Sequence, residues 1–361
     1  MTEVSTRQFI LIAIFLIVAS KMMTMPTLIF EFAVKESVYS IILGFIVEIL
    51  IVFLICEVIK RNPNISLFDL LKKKFSIVGA YFIMIILYVF VLFKLLFVLQ
   101  ELYSFFKEFL YDDFHPLIYA IPTFFVIGYL AYKGARTLGR TLEILFLFVV
   151  IGIVVSIVSN LEFVTANRML PYFENGVTPM LEGIARNMFF FGNSIPLLFF
   201  VGKVKINHLF TTKTFSATTG LAVFITAFCF IFYDVYGYAT YYTLFALSDF
   251  TQYDPFILDL QRLNWLSTFV DVTKLFCTGS ILLYCLGQAG KSIAQVKSSF
   301  FPIIFGIIAT FVVATLSKYD LDTMKTYITE WVSFATMALM VLIILICIIM
   351  CIKRSSKNEH Q

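Results

Sequence analysis

An all-α membrane protein that crosses the bilayer ten times is the fold class this 361-residue sequence predicts. Three observations carry that reading. The chain is 60% hydrophobic and only 14% charged, with a mean hydropathy of +0.94, whereas soluble domains average about 25% charged and 45–50% apolar residues. The apolar residues fall in runs of about 20, the length that spans a hydrocarbon core as a helix. The ten-residue alternating segments of a transmembrane β-barrel are missing.

The apolar runs, in order, are 8–32, 38–59, 76–104, 116–132, 141–160, 183–202, 214–237, 265–287, 299–317 and 328–352. The third continues apolar and aromatic to about Leu110, which predicts a steep tilt or an extension past the bilayer. Arg7 is the only basic residue before the first run, and no small-residue cleavage site follows it, so the first run is expected to be retained rather than removed as a signal peptide. The distribution of Lys and Arg sets the orientation. With the N-terminus inside, the inner segments hold 17 basic residues, including Lys60, Arg61 and Lys72–Lys74, against six outside. Asp112, Asp113, Asp249, Asp254, Asp320 and Asp322 lie outside, and Trp265 and Trp331 fall at outer interfaces as aromatic anchors do. Both termini are therefore expected in the cytoplasm. Two outer loops are long, 161–182 and 238–264, and the second is expected to carry a short interfacial helix near Ile257–Leu263. Residues 353–361 form a short cytoplasmic tail.

The first run is interrupted at Ser20-Lys21-Met22-Met23-Thr24-Met25-Pro26. Proline lacks a backbone donor and clashes with the preceding turn, and a mid-membrane Lys costs at least a few kcal/mol unless it faces a cavity or a partner. The sixth run is broken in the same way at Phe191-Gly192-Asn193-Ser194-Ile195-Pro196, 170 residues later from Pro26 to Pro196. That offset also carries runs two to five roughly onto seven to ten. Five spans is an odd number, so the second copy enters from the opposite side. The chain thus predicts an inverted repeat of 1–160 and 161–352, with a binding site near the midplane where the two helices unwind. Half-helix ends expose unpaired N–H and C=O groups, which suit a carboxylate and a cation respectively. A zwitterionic amino acid matches both.

Charged residues inside the runs are further functional candidates. Lys94 and Glu101 lie seven apart on one helix face, and Asp271 and Lys274 are spaced to pair. Gluing helices together is the favoured role for Asp271–Lys274, Glu48 and Glu143. Lys21 lies in the break itself and could receive a ligand carboxylate, neutralise a cation site or pair with an acid. Enzyme classes find no support. The chain has three His outside the runs and six Cys without a CxxC pair, and shows no catalytic triad, phosphate loop or metal motif. No cofactor and no metal is expected, and the basic clusters are topology signals rather than a nucleic-acid surface.

Three short patterns then fall in order: Arg61-Asn62-Pro63-Asn64-Ile65-Ser66-Leu67, Tyr132-Lys133-Gly134-Ala135-Arg136-Thr137-Leu138-Gly139-Arg140, and Leu170-Pro171-Tyr172-Phe173-Glu174-Asn175-Gly176-Val177-Thr178-Pro179. With Gln8, they resemble the B subunit of spore germinant receptors, a family of the amino acid–polyamine–organocation transporter superfamily. The resemblance covers nearly the whole chain. It implies a LeuT-like five-plus-five fold and a nutrient-sensing role in the spore inner membrane. It also implies an A subunit and a C-subunit lipoprotein as partners, and a small nutrient, often an amino acid, as ligand. By resemblance the pocket lies among spans one, three, six and eight. Those positions are Ala19, Ser20, Lys21, Met22 and Met23; Val91 and Leu95; Phe191, Gly192, Asn193 and Ser194; and Cys277 and Thr278. The same fold also serves amino-acid or cation symport, and a scaffold with a vestigial pocket is a third reading. Many relatives carry small Gly-rich residues in the first break, where this chain has Lys21 followed by Met22 and Met23.

Overall fold

The computed structural model describes residues 4–109, 116–165, 168, 170, 173, 174, 176–252, 263–296, 298, 300, 302–308 and 321–352. Among these, the chain is helical throughout, with one isolated pairing of Val4 with Val204. In chain order the helices are α1 (Thr6–Val18), α2 (Met25–Ala33), α3 (Ser37–Arg61), α4 (Leu67–Phe75), α5 (Ile77–Phe109), α6 (Pro116–Lys133), α7 (Ala135–Val158) and α8 (Thr178–Phe191). They continue with α9 (Phe210–Tyr236), α10 (Ala246–Gln252), α11 (Leu263–Ala294), α12 (302–308), α13 (Leu321–Tyr327) and α14 (Ser333–Cys351).

Local sequence explains where they start and stop. Ser5 accepts from the Gln8 backbone N–H at 3.3 Å and donates its own N–H to Gln8 Oε1 at 3.2 Å, a reciprocal cap that opens α1. Ser66 caps α4 by accepting from the Asp69 N–H at 3.2 Å. Pro26 and Pro179 sit in the first turns of α2 and α8, where a missing N–H is harmless.

Among the described residues, six helical stretches are long and apolar enough to cross a membrane: Met25–Arg61, Ile77–Phe109, Ala135–Phe163, Phe210–Tyr242, Trp265–Ala294 and Thr323–Cys351. The difference from ten runs has a physical reason. The first run is divided into α1 and α2, neither of which reaches spanning length alone, and Met25–Arg61 joins α2 to the whole second run. The sixth run ends as an α-helix at Phe191. The third run, expected to overshoot, is a 33-residue helix. The ninth run lies largely outside the described residues, as does the tail. The helix expected near Ile257–Leu263 also falls there, apart from Leu263, the first residue of α11.

Packing places α5 along α11, α2 against α8, and α1 against α7, α9 and α11. The two interrupted helices therefore sit at the centre, walled by α3, α5 and α11. At the end that holds the N-terminus, Val4 is stitched to the chain after α8 by Lys205 N–H to Val4 O and Val4 N–H to Lys203 O, both 2.8 Å. Gly202 beside that stitch has φ +75°, and a Cβ there would lie 2.3 Å from the Ile65 carbonyl oxygen. Only glycine fits that approach.

Candidate functional site between two interrupted helices

Helix α1 stops at Val18, a single tight turn covers Ser20–Met22, and α2 resumes at Met25. Helix α8 stops at Phe191, turns through Gly192–Ser194, and continues as a narrow 3₁₀ stretch over Ile195–Phe200. Pro26 and Pro196 each withhold a donor from the preceding turn. Side chains also reach across the core to carbonyls of the helices that flank the breaks. Thr278 Oγ1 donates to Phe15 O at 2.8 Å, Tyr233 OH to Pro26 O at 2.8 Å, Asn187 Nδ2 to Leu28 O at 3.2 Å, and Lys94 Nζ to Phe189 O. The Lys94 amine therefore sits at the C-terminal end of α8, where the helix dipole favours positive charge.

Three buried acids surround the first break. Glu101 on α5 receives Ser20 Oγ and Thr24 Oγ1 at 2.5 Å each, one on each carboxylate oxygen. Glu48 on α3 meets Lys21 Nζ at 2.9 Å. Both side chains of that pair are fully buried, and Lys21 also faces the rings of Phe45 and Phe191. On α11, Asp271 pairs with Lys274 at 2.6 Å and accepts from Ser248 Oγ of α10 at 2.7 Å. Glu143 meets Arg7 at 3.6 Å in a partly exposed pair.

An enclosed cavity of about 10 Å³ lies between the breaks, room for roughly one water. Ser20, Asn193 and Thr278 line it, so the structure brings together residues from spans one, six and eight. Lys94, Phe97, Val98, Phe189, Leu16 and Leu282 complete the wall. Lys94 is its only titratable lining residue, and its Nζ donates to Asn193 Oδ1 at 2.7 Å and lies 3.4 Å from the Phe189 ring centroid. The other expected site residues are not on this cavity. Val91 and Leu95 are buried on α5, Cys277 is buried on α11, and Ala19, Met22 and Met23 are buried in the break. Lys21 and Phe191 face the α3 side instead. Gly192 packs 3.0–3.1 Å, measured from an added Cβ, from Thr336 and Phe90, and Ser194 Oγ is buried with no hydrogen-bond partner among the described residues. The sequence did hold the signal for the wall. Positions 94, 97, 98 and 101 form one stripe of α5 by helical spacing, and Thr278 with Leu282 does the same on α11.

The side of the break away from the N-terminus is covered by α10. The Ala246 N–H donates to Met23 O at 3.0 Å, and Thr243 and Thr27 hydroxyls meet at 2.9 Å. Asp249 holds this cover in shape by accepting from the Leu244 and Phe245 N–H groups, both at 2.9 Å. Burial, with repulsion from Glu108 and Asp271, pushes the Asp249 carboxyl up to about 6 despite those two donors. A solvated Asp titrates near 3.9, so between about pH 4 and 6 the docked cover holds a proton that a detached one releases. Docking is strongest below that window and weakens as pH rises through it. Hydrogen-exchange protection of 244–252, corrected for intrinsic rates, is expected to be higher at about pH 4.5 than at about pH 7.5. Asp249→Asn should flatten the difference, and a variant that keeps the wild-type pH dependence would sink this assignment.

The fold as a whole matches solved transporters. The structure of Mhp1, a nucleobase-cation-symport-1 family transporter solved in a closed conformation with bromovinylhydantoin bound, aligns with a TM-score of 0.67 at 13% identity, covering 95% of this chain and 78% of that one. A manganese transporter of Eremococcus coleocola aligns at 0.56 and 11% identity over 95% of this chain and 77% of that one. The same transporter bound to an aromatic bis-isothiourea substituted compound aligns at 0.52 and 11%, over 96% and 78%. No curated protein sequence matches the chain. The class is therefore a multi-pass membrane protein with a LeuT-like transporter fold, not an enzyme. Residues 3–323 match the family described as Spore germination protein, and the chain belongs to that family.

Proposed function

We propose that this protein is the nutrient-sensing subunit of a spore germinant receptor, and that it binds a small amino acid in the cavity between the two breaks. The observation that carries the ligand class is the ammonium of Lys94. It sits in the cavity wall with a backbone carbonyl, an amide oxygen and an aromatic face around it, and no acid lies within ion-pair distance among the described residues. A buried charge is costly until it is paired, so a ligand carboxylate is its natural complement. Ser20, Asn193 and Thr278 offer hydroxyl and amide groups for the remainder. The unpartnered Ser194 hydroxyl adds polar capacity in the second break. Ala19, Lys21, Met22, Met23, Val91, Leu95, Phe191, Gly192 and Cys277 then shape and close the pocket rather than meet the ligand.

The cavity must widen to admit an amino acid, and the α10 cover and the stitch at Val4 are the contacts that give way on either side. In this reading the chain has ten spans arranged as an inverted repeat of 1–160 and 161–352, with both termini cytoplasmic and the protein in the spore inner membrane. The A subunit and the C-subunit lipoprotein of the receptor are its partners, and ligand binding releases germination through them. Symport is the second reading, favoured by the likeness to Mhp1. Ion-gradient-driven uptake of labelled amino acids into vesicles would establish it.

Lys94→Met tests the sensing reading. Losing a charged hydrogen bond of about 1.5–3 kcal/mol should shift the nutrient dose–response of spores roughly 10- to 100-fold with the protein level held. An unchanged dose–response would refute it.

A further inference from the structure

A second, larger cavity lies at the end that holds the N-terminus, outside the site just described. It is a half-open groove of about 820 Å³ between the last turns of α3, the α3–α4 turn, α4 and the C-terminal end of α14. Its two ends differ in chemistry. The floor nearer mid-membrane is apolar, with Phe53, Leu54 and Ile348; Phe53 meets Phe215 edge-on, yet it and Ile348 stay exposed. The rim is basic, with Arg61, Lys73 and Lys74. Two of these cations are fixed in place by the carbonyls that end α14: Arg61 Nη1 donates to Cys351 O at 3.0 Å, and Lys74 Nζ to Ile352 O. Each of those bonds uses one hydrogen of groups that carry five and three. Among the described residues the only acid on the rim is Glu57, which is engaged by Arg61 at 3.3 Å, by Lys60 at 3.8 Å and by the Thr211 hydroxyl at 3.2 Å. The described lining thus sets three basic residues against one acid above an apolar slot.

We propose that this groove binds one anionic phospholipid of the cytoplasmic leaflet. The phosphate sits at the Arg61–Lys73–Lys74 rim, and the acyl chains lie along Phe53, Leu54 and Ile348. Three arguments select this occupant. Juxtamembrane basic clusters attract the anionic cytoplasmic leaflet. The apolar slot continues from the rim, which suits a lipid and is of no use to a soluble phosphate. The chain's own tail carries Lys353, Arg354 and Lys357 against one acid, Glu359, so its net charge is positive and unsuited to a basic rim. A lipid held there would brace α4 and the end of α14 against α3. The proposal rests on the topology reading above only for the choice of leaflet. Binding in detergent does not depend on orientation, so the two can fail separately.

The test uses the purified full chain in detergent, titrated with phosphatidylglycerol or phosphatidylcholine and read by native mass spectrometry. The expected result is one tightly retained phosphatidylglycerol, preferred at least tenfold over phosphatidylcholine. Lys73→Gln with Lys74→Gln should weaken phosphatidylglycerol binding roughly 30-fold at about 1 kcal/mol per basic residue while leaving phosphatidylcholine unchanged. Phe53→Ser should weaken both lipids. Equal binding of the two lipids, or full selectivity in the double variant, would overturn the proposal. So would competition by glycerol phosphate at the concentration of the lipid, which would mean a soluble-anion site. Removing 353–361 should leave binding unaltered; a large gain would assign the groove to the tail instead. Cysteine labelling of the rim from either side of the membrane reports the leaflet independently.

Discussion

Replacing Lys21 with Ala is expected to destabilise the protein by about 3–5 kcal/mol, because it leaves the Glu48 carboxylate buried without its counter-charge. The pair has no solvent to fall back on, since both side chains are fully buried. It also joins the two breaks: Lys21 projects from the first, and its ammonium faces Phe191, the last residue of α8 before the second. Thermal unfolding of the purified protein in detergent measures the loss. Combining Lys21→Met with Glu48→Met should recover most of the stability, because a well-packed apolar pair can match a buried ion pair. If Lys21→Ala melts like wild type, the pair is not buried as described. If the double variant is stable yet no longer responds to nutrient, the pair transmits between the breaks and does more than hold them.

Gly44→Ala carries the second large effect. A Cβ at Gly44 would lie 2.3 Å from Phe191 Cε2 and Cζ, well inside van der Waals contact. The ring cannot fold away like a flexible chain, and it packs edge-on to Phe45 at 5.5 Å. Overpacking of this kind costs roughly 1–3 kcal/mol, and here it pushes on the residue that precedes the Gly192 turn. The variant should melt earlier and shift the dose–response, although Gly44 touches no part of the cavity wall. Phe191→Leu in the same chain should rescue both. Failure of that rescue would mean the defect arises elsewhere, for instance from the helix–helix spacing of α3.

Much of this architecture is legible in sequence because bilayer physics is strict. Run length depends on the thickness of the hydrocarbon core and on the need to satisfy the backbone within it, which tertiary packing does not change. Polar residues next to Pro in apolar runs marked the breaks at Ser20–Pro26 and Gly192–Pro196 for the same reason, and the helices are interrupted at both. Which side chains turn into the cavity depends on rotation about each helix axis, and that is set by packing. Hence Ser20 and Lys21, adjacent in sequence, part ways, one toward Glu101 and the cavity and the other toward Glu48. Val91 and Leu95 lie on the same helix as Lys94 and Val98, yet only the latter two line the wall. Lys94 was visible as a mid-membrane charge. Its meeting with the end of α8 joins residues 95 positions apart, and no local pattern encodes that contact. The α10 cover was hidden for the opposite reason, since seven residues in a polar loop carry too little periodicity to read.

Direct binding of amino acids to the purified full chain tests the central claim most plainly. A panel of L-amino acids, followed by equilibrium dialysis at constant pH, should yield at least one saturable ligand. The corresponding amine without its carboxylate should bind at least tenfold more weakly, and folded Lys94→Met should lose that discrimination together with most of the affinity. Equal binding of acid and amine by the wild type, or undiminished binding by Lys94→Met, would contradict a carboxylate site on Lys94 between the two broken helices.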